Sequence, residues 1–317
     1  MKNNIKIQSA AVIITALFTA NVHSQRMYFN AGGGYGLSAA PTNIYLFFDN
    51  MLNYDYSSTN TTTYDGTTWS YSYAHTNKRI KGNGSFGKGI QAGGTFGYMF
   101  TEHIGAELGI GNLLGAGITS KNNYTSEYID LTNSANNTTN TSSSEETATG
   151  KMLRFIPALK ITAGNGKAKP YMRTGLVIGV GAKVIDAIKP ISPPTGGAFA
   201  VEAEYSGGIA LGFSGGLGVD FKLSSHFGIF AEGGIITQRW APKKAELTKY
   251  TIDGIDYLPT LTTDEKETEF VDSYTSGSYN SSLPTKQLKI FLPFSSAGIN
   301  VGVHFSFGGK KESAETK

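Results

Sequence analysis

From residue 26 onward the chain keeps returning to one pattern, apolar residues alternating with small or polar ones. A period of two places every second side chain on the same face of a strand. Residues 26–38 set Met27, Phe29, Tyr35 and Leu37 against Asn30, Gly32, Gly34 and Gly36. Residues 86–100 set Ile90, Ala92, Phe96 and Tyr98 against Gln91, Gly93, Thr95 and Gly97, and residues 104–110 set Ile104, Ala106, Leu108 and Ile110 against Gly105, Glu107 and Gly109. A fourth run, 152–163, opposes Leu153, Phe155, Leu159 and Ile161 to Arg154, Ala158, Lys160 and Thr162. A fifth, 170–180, opposes Met172, Leu176 and Ile178 to Tyr171, Arg173 and Gly175. Residues 205–223, 227–236 and 288–307 repeat the pattern, with Gly212, Asp220, Glu232, Asn300 and His304 opposite Leu211, Phe213, Leu217, Ile229, Ile299, Val301, Phe305 and Phe307. Pro157 lacks an amide donor, so a bulge or local distortion is expected at that point of the fourth strand.

The connections between these eight predicted strands alternate in length. Strands two and three, four and five, and six and seven are joined by a few residues near 101–103, 164–167 and 224–226, whereas 39–85, 115–151, 181–204 and 237–287 are long. In hydrocarbon an unpaired backbone group costs several kcal/mol, so a membrane-crossing sheet must close on itself. Short connections at one end and long ones at the other suit a confined periplasmic side and an open outer side. The predicted fold is therefore all-β, an eight-stranded antiparallel transmembrane β-barrel with short periplasmic turns and long extracellular loops. Residues 131–150, nearly all Asn, Thr, Ser and Glu, are expected to be a mobile loop. The cluster Ile44, Leu46, Phe47 and Phe48 predicts a short helix or an extension above the membrane, and residues 247–252 predict a strand outside the bilayer.

Composition adds a leader and excludes several classes. Lys2 and Lys6 precede an apolar run from Ala10 to Ala20, and Val22 and Ser24 occupy the −3 and −1 positions of a cut after Ser24. Residues 1–24 thus read as a secretory signal peptide, residues 25–307 as the barrel and residues 308–317 as a short polar tail. The absence of cysteine excludes disulfides and thiolate metal sites. Glycine is abundant, 40 of 317 residues, nearly twice the ordinary ~7 %, beside 17 Tyr and 18 Phe. Tightly curved strands with aromatic bands use both. A formal charge of +3, or +1 without the two leader lysines, gives no electrostatic case for a nucleic-acid partner.

Parity places Glu107, Arg154, Lys160, Arg173, Asp220, Lys222 and Glu232 on the inner face. Glu107, Lys160, Arg173 and Glu232 are predicted to form an ion-pair network that plugs the lumen, because unpaired charges at low dielectric are disfavoured. The competing readings of that set are a proton relay or an enzyme site, against which stand the scatter of the charges over several strands and the lack of a nucleophile pattern. Lys88 falls on the outer face, requiring a position above the lipid or a bulge. His304 and Ser306 share a face and would support ester hydrolysis only if a carboxylate oriented the histidine; a plain polar pair is the simpler reading. Glu102-His103 and Ser225-His226 read as wet corners at turns. No metal cluster, phosphate loop or zinc pattern occurs, so no cofactor and no catalytic residue is predicted.

The segments Pro170-Tyr171-Met172-Arg173-Thr174-Gly175 and 292–307, with its terminal Val303-His304-Phe305-Ser306-Phe307, resemble the small outer-membrane β-barrel or "porin family" proteins of Bacteroidetes. These are similar in architecture to the membrane domain of OmpA and to OmpX-like and OmpW-like barrels. The resemblance implies the bacterial outer membrane as location, its lipid and lipopolysaccharide as surroundings, and recognition of Phe307 by the barrel-assembly machinery. Here the tail 308–317 follows Phe307, and it is too short for a peptidoglycan-binding domain. Three functions follow in order of preference: a non-enzymatic structural or surface-interaction role through the large loops, a narrow channel for small or hydrophobic solutes, and a lipid-modifying enzyme.

Overall fold

The computed structural model describes residues 26–39, 54–80, 84–164, 166–192, 198–275 and 280–307. The expected signal peptide, the cluster at residues 44–48 and the tail 308–317 lie outside the described residues.

The described residues form a single sheet of 17 strands. Within it, eight strands pair in sequence around a closed circuit. These are β1 (Arg26–Ser38), β4 (Gly89–Met99), β5 (Ile104–Gly115), β7 (Thr138–Thr162), β8 (Ala168–Ser192), β10 (Ala210–Lys222), β11 (Phe227–Trp240) and β17 (Ser296–Phe307). Each pairs antiparallel with the next, and β17 returns to β1 from Met27↔Phe307 to Ser38↔Ser296. Residues 100–103, 163–167 and 223–226 link neighbours at one end.

The remaining nine strands all lie in the connections at the opposite end. They are β2 (Tyr54–Tyr64), β3 (Trp69–Arg79), β6 (Ile118–Asp130), β9 (Phe199–Ser206), β12 (Lys244–Ile252), β13 (Ile255–Asp256), β14 (Glu267–Val271), β15 (Thr285–Leu288) and β16 (Leu292–Pro293). β7 and β8, 25 residues each, carry the sheet beyond the ring for a total length of about 80 Å at ~3.3 Å per residue. Around them the order β3-β2-β6-β7-β8-β9-β12-β14-β15 forms an open sheet with β3 at one edge; β2–β6 and β14–β15 are parallel pairs and the others antiparallel.

This architecture corrects the predicted fold. The sheet contains 17 strands rather than the eight of a transmembrane barrel, and most of what alternation left as long loops is strand. Residues 138–150, expected to be mobile, open β7 and pair with both β6 and β8. The reason is that Thr, Ser and Tyr suit a pleated backbone, and a strand paired along both edges needs no apolar alternation to be satisfied. At Pro157 the structure has a local distortion rather than a bulge: the strand stays in continuous register with Leu108 of β5, while the ladder to β8 skips residues 156 and 157 between Phe155↔Ile178 and Ala158↔Gly175 without a register shift. The register shifts in β7 fall at Ser143/Ser144 and Lys151/Leu153.

The ring is apolar outside and polar inside. All eight strands expose large apolar side chains, among them Phe29, Phe96, Leu108, Leu159, Leu176, Phe213, Leu217, Ile229 and Ile299. Buried on the inner side are Asn30, Glu107, Arg154, Lys160, Ser214, Glu232 and Gln238. Inner glycine is a steric requirement where rings cross the interior: a Cβ on Gly97 would fall within the Tyr28 ring, and one on Gly218 against that of Tyr171.

Candidate functional site

Five ring strands bring the charged groups together. β5 contributes Glu107, β7 Lys160, β8 Arg173 and β11 Glu232; β10 adds Asp220. Lys160 Nζ lies 2.9 Å from Asp220 Oδ2 and 3.6 Å from Glu107 Oε1. Arg173 Nε lies 2.7 Å from Glu232 Oε2, and Arg173 Nη1 lies 3.7 Å from Glu107 Oε2. Two tyrosines complete the layer. Tyr28 donates its hydroxyl to Glu107 at 2.6 Å and Tyr171 donates to Glu232 at 3.1 Å. The Lys160 ammonium sits 4.0 Å from the centre of the Tyr171 ring and 4.9 Å from that of Tyr28. A buried cation between two ring faces gains from their quadrupoles as well as from its carboxylates. Lys160 is only 1 % exposed.

This layer lies between two cavities. One, of about 120 Å³, is lined by Glu107, Tyr171, Arg173, Glu232, Ser214 and Asn300 among others. The second, of about 290 Å³, is lined by Tyr28, Lys160, Asp220, His304 and residues of the short turns. The first cavity is bounded on its far side by Arg154, which donates from Nε to Gln238 Oε1 and from Nη2 to the Phe294 carbonyl, both at 2.9 Å. Beyond Arg154, Phe86, Trp240 and Phe294 pack ring against ring, with Phe294 centred 5.5 Å from Phe86 and 5.8 Å from Trp240. All three are fully buried and belong to an apolar cluster with Leu113, Ile118, Met152 and Tyr205.

No family model matches the chain and no curated protein matches it. Among solved structures, the outer membrane protein OprG from Pseudomonas aeruginosa is similar at 12 % identity and a TM-score of 0.38, covering 90 % of this chain and 97 % of that one. That likeness is too remote to carry an argument.

The other singled-out residues take plainer positions. His304 Nδ1 is 2.7 Å from Asn30 Oδ1 and Nε2 is 2.8 Å from Ser306 Oγ, so both ring nitrogens are occupied and neither faces a carboxylate as an acyl-transfer relay requires. Arg154 stands apart from the central cluster, and Lys222 is exposed at the end of β10. Lys88 precedes β4 and is half-buried, its carbonyl accepting from the amide of Ala116. Glu102-His103 and Ser225-His226 lie exposed at the short turns. Phe307 ends β17 opposite Met27 and is exposed. Among the described residues no group of three or more His, Asp or Glu has the arrangement of a metal site.

Alternation on the strands already marked the four central charges, but it gave no sign of Tyr28 as a partner of Glu107. The apolar closure was also missed, because Phe86 and Phe294 lie just outside strands and Trp240 at the end of one, where period two no longer applies.

Proposed function

We propose that this is a non-enzymatic outer-membrane protein that acts at the cell surface through the strands extending beyond its ring. One observation carries the reading: the ring is inverted relative to a soluble protein. Leu217 is 68 % exposed and Ile299 67 %, while Lys160 and Glu107 are buried. A contiguous apolar belt contributed by every strand of the ring is stable against lipid and a liability in water. Outer-membrane lipid and lipopolysaccharide are then its surroundings. Phe307 at the end of the last strand is the candidate recognition element for the assembly machinery, and the central ion-pair layer serves as an internal plug. The two separate cavities favour a surface role over passage of solutes.

Expression of the full chain in a Gram-negative host, followed by membrane separation, tests the location. The protein should sediment with the outer membrane and stay folded only in detergent or lipid. Recovery of folded, monomeric protein from a detergent-free soluble fraction would overturn the proposal.

A further inference from the structure

Beyond the ring, β3, β2, β6 and the first half of β7 form one continuous stretch of sheet. Directly paired residues share a face, so the registers Tyr73↔Asn60, Asn60↔Ser126 and Ser126↔Asn140 define a row across all four strands. The same face carries an unusual density of aromatic rings. Trp69 lies 4.6 Å from Tyr64 and 5.8 Å from Tyr128, centre to centre. Two rows away, His75 stacks with Tyr73 at 5.4 Å and with Tyr56 at 6.4 Å. Tyr56 also meets Tyr124, and the hydroxyls of Tyr56 and Tyr73 are hydrogen-bonded. Between the groups projects Tyr71, 77 % exposed. Every residue of β3 is exposed.

Most of the charge in these strands lies on the other side; the aromatic parity holds Arg79 at the end of β3, the buried Glu146 of β7 and Asp130 of β6. Asp55, Lys78, Lys121 and Glu127 all have the opposite parity, with Asp55 opposite Lys78 and accepting from the Lys121 amide, and Glu127 accepting from Thr61. On the aromatic side the positions between the rings are Asn60, Thr62, Ser126 and Asn140. Asp130, at the far edge, is engaged by Thr132, Asn133 and Asn136.

Each candidate partner makes its own demand on such a face. Nucleic acid or a phosphorylated lipid headgroup requires several cations, and the aromatic side offers one, Arg79, two rows beyond His75 at the end of β3. An acyl chain requires aliphatic side chains, which are missing from these rows. Exposed rings offering electron-rich faces, interleaved with hydroxyl and amide groups and without formal charge in the rows of Tyr71, Tyr73 and His75, complement a ligand with C–H faces and many neutral hydroxyls. Trp69, Tyr71 and Tyr73 repeat along the strand every ~6.6–6.8 Å, a ladder suited to successive linked rings. We infer that this four-strand face is a binding platform for a free, neutral oligosaccharide. The inference deepens the surface role proposed above and rests on it, but its test does not depend on where the protein resides.

The full chain in detergent is titrated with maltohexaose, cellohexaose and mannohexaose, following tryptophan emission and its quenching by acrylamide. Trp69 is exposed and Trp240 buried, so ligand over the platform shields the quenchable signal. At least one saccharide is expected to bind saturably at millimolar concentration or below. Tyr71→Ala and Trp69→Ala should each weaken binding about tenfold or more, read by calorimetry, while Lys78→Ala on the back leaves it unchanged. Tyr71→Ala serves as the main variant because the side chain is exposed and its removal leaves no cavity, and unchanged circular dichroism verifies the fold. Failure of all three saccharides to bind folded protein overturns the inference, as does binding insensitive to Tyr71→Ala. Tighter binding of phosphorylated lipopolysaccharide on the same residues overturns the assignment to a neutral, free glycan.

Discussion

Arg173 shows how much a single side chain holds in the ring. Its guanidinium is placed between Glu232 and Glu107, and removing one partner of a buried ion pair leaves a charge without compensation, at a cost of about 3–5 kcal/mol. Arg173→Met should lower the unfolding free energy in detergent, read from the shift of the denaturant midpoint, by an amount of that order. Arg173→Met with Glu232→Gln should recover a large part of the loss, whereas Lys222→Ala at an exposed site should stay within ~0.5 kcal/mol. Equal effects of the three changes would contradict the layer as described. Asp130, far outside the ring, offers a pH reading. Its carboxylate accepts from the Thr132 hydroxyl, the Asn136 side chain and the amides of Thr132 and Asn133, and these hold its pKa down to about 2. A depressed acid stabilises the folded turn above its unfolded value near ~3.9 and loses that contribution as pH falls through the folded one. The Thr132 and Asn133 amide resonances should therefore titrate with a midpoint near 2, and Asp130→Asn should abolish the titration. At this scale parity made the inward direction of Glu107, Lys160, Arg173 and Glu232 legible. It could not supply the distances between strands far apart in sequence, nor show that Tyr28 and Tyr171 act as hydrogen-bond donors rather than bulk.

At the scale of elements, the ring strands were legible because one face of each meets an apolar environment and the other a polar interior, which forces alternation. β1 spans the residues its pattern marks, and the short turns fall near the tight polar connections. The segments beyond the ring gave no such signal. TTNTSSSEET at the start of β7 and YDYSSTNTTTY in β2 have no aliphatic face and contain the Asn, Asp and Ser common in turns, and their strands are specified by pairing across the sheet. β6 is decisive there, since it is paired on one edge with β2 and on the other with β7. Every amide along an interior strand is directed to one neighbour or the other, so a proline in its centre removes a ladder bond whichever way that position points. Thr125→Pro should accelerate amide exchange throughout β2 and β3 while leaving the β10–β11 amides protected. Protection retained in β2 and β3 would mean that the hairpin is held by something other than β6.

Over the whole molecule, the interior is closed twice in series, and the two closures rest on different physics. Near the short turns the interior of the ring holds Lys160, Asp220 and the rings of Tyr28 and Tyr171. At the other side of the 120 Å³ cavity, Phe86, Trp240 and Phe294 fill it with apolar rings. An ion entering from either side meets a barrier even if the other is removed. Replacing Lys160 and Asp220 together by Ala deletes a cation and an anion, so the formal charge of the layer is unchanged and no isolated partner remains from that pair. Phe294→Ala opens the second closure at a stability cost of about 3–5 kcal/mol. In planar bilayers the unmodified protein, the Lys160→Ala/Asp220→Ala variant and the Phe294→Ala variant should all be silent, and only their combination should carry current. The surviving path would be lined by Glu107, Glu232, Arg154 and Arg173, two carboxylates against two guanidiniums, so the current should show little preference between cations and anions. Conduction by the unmodified protein, or by either variant alone, would show a route past the remaining closure and return solute passage to the molecule's role.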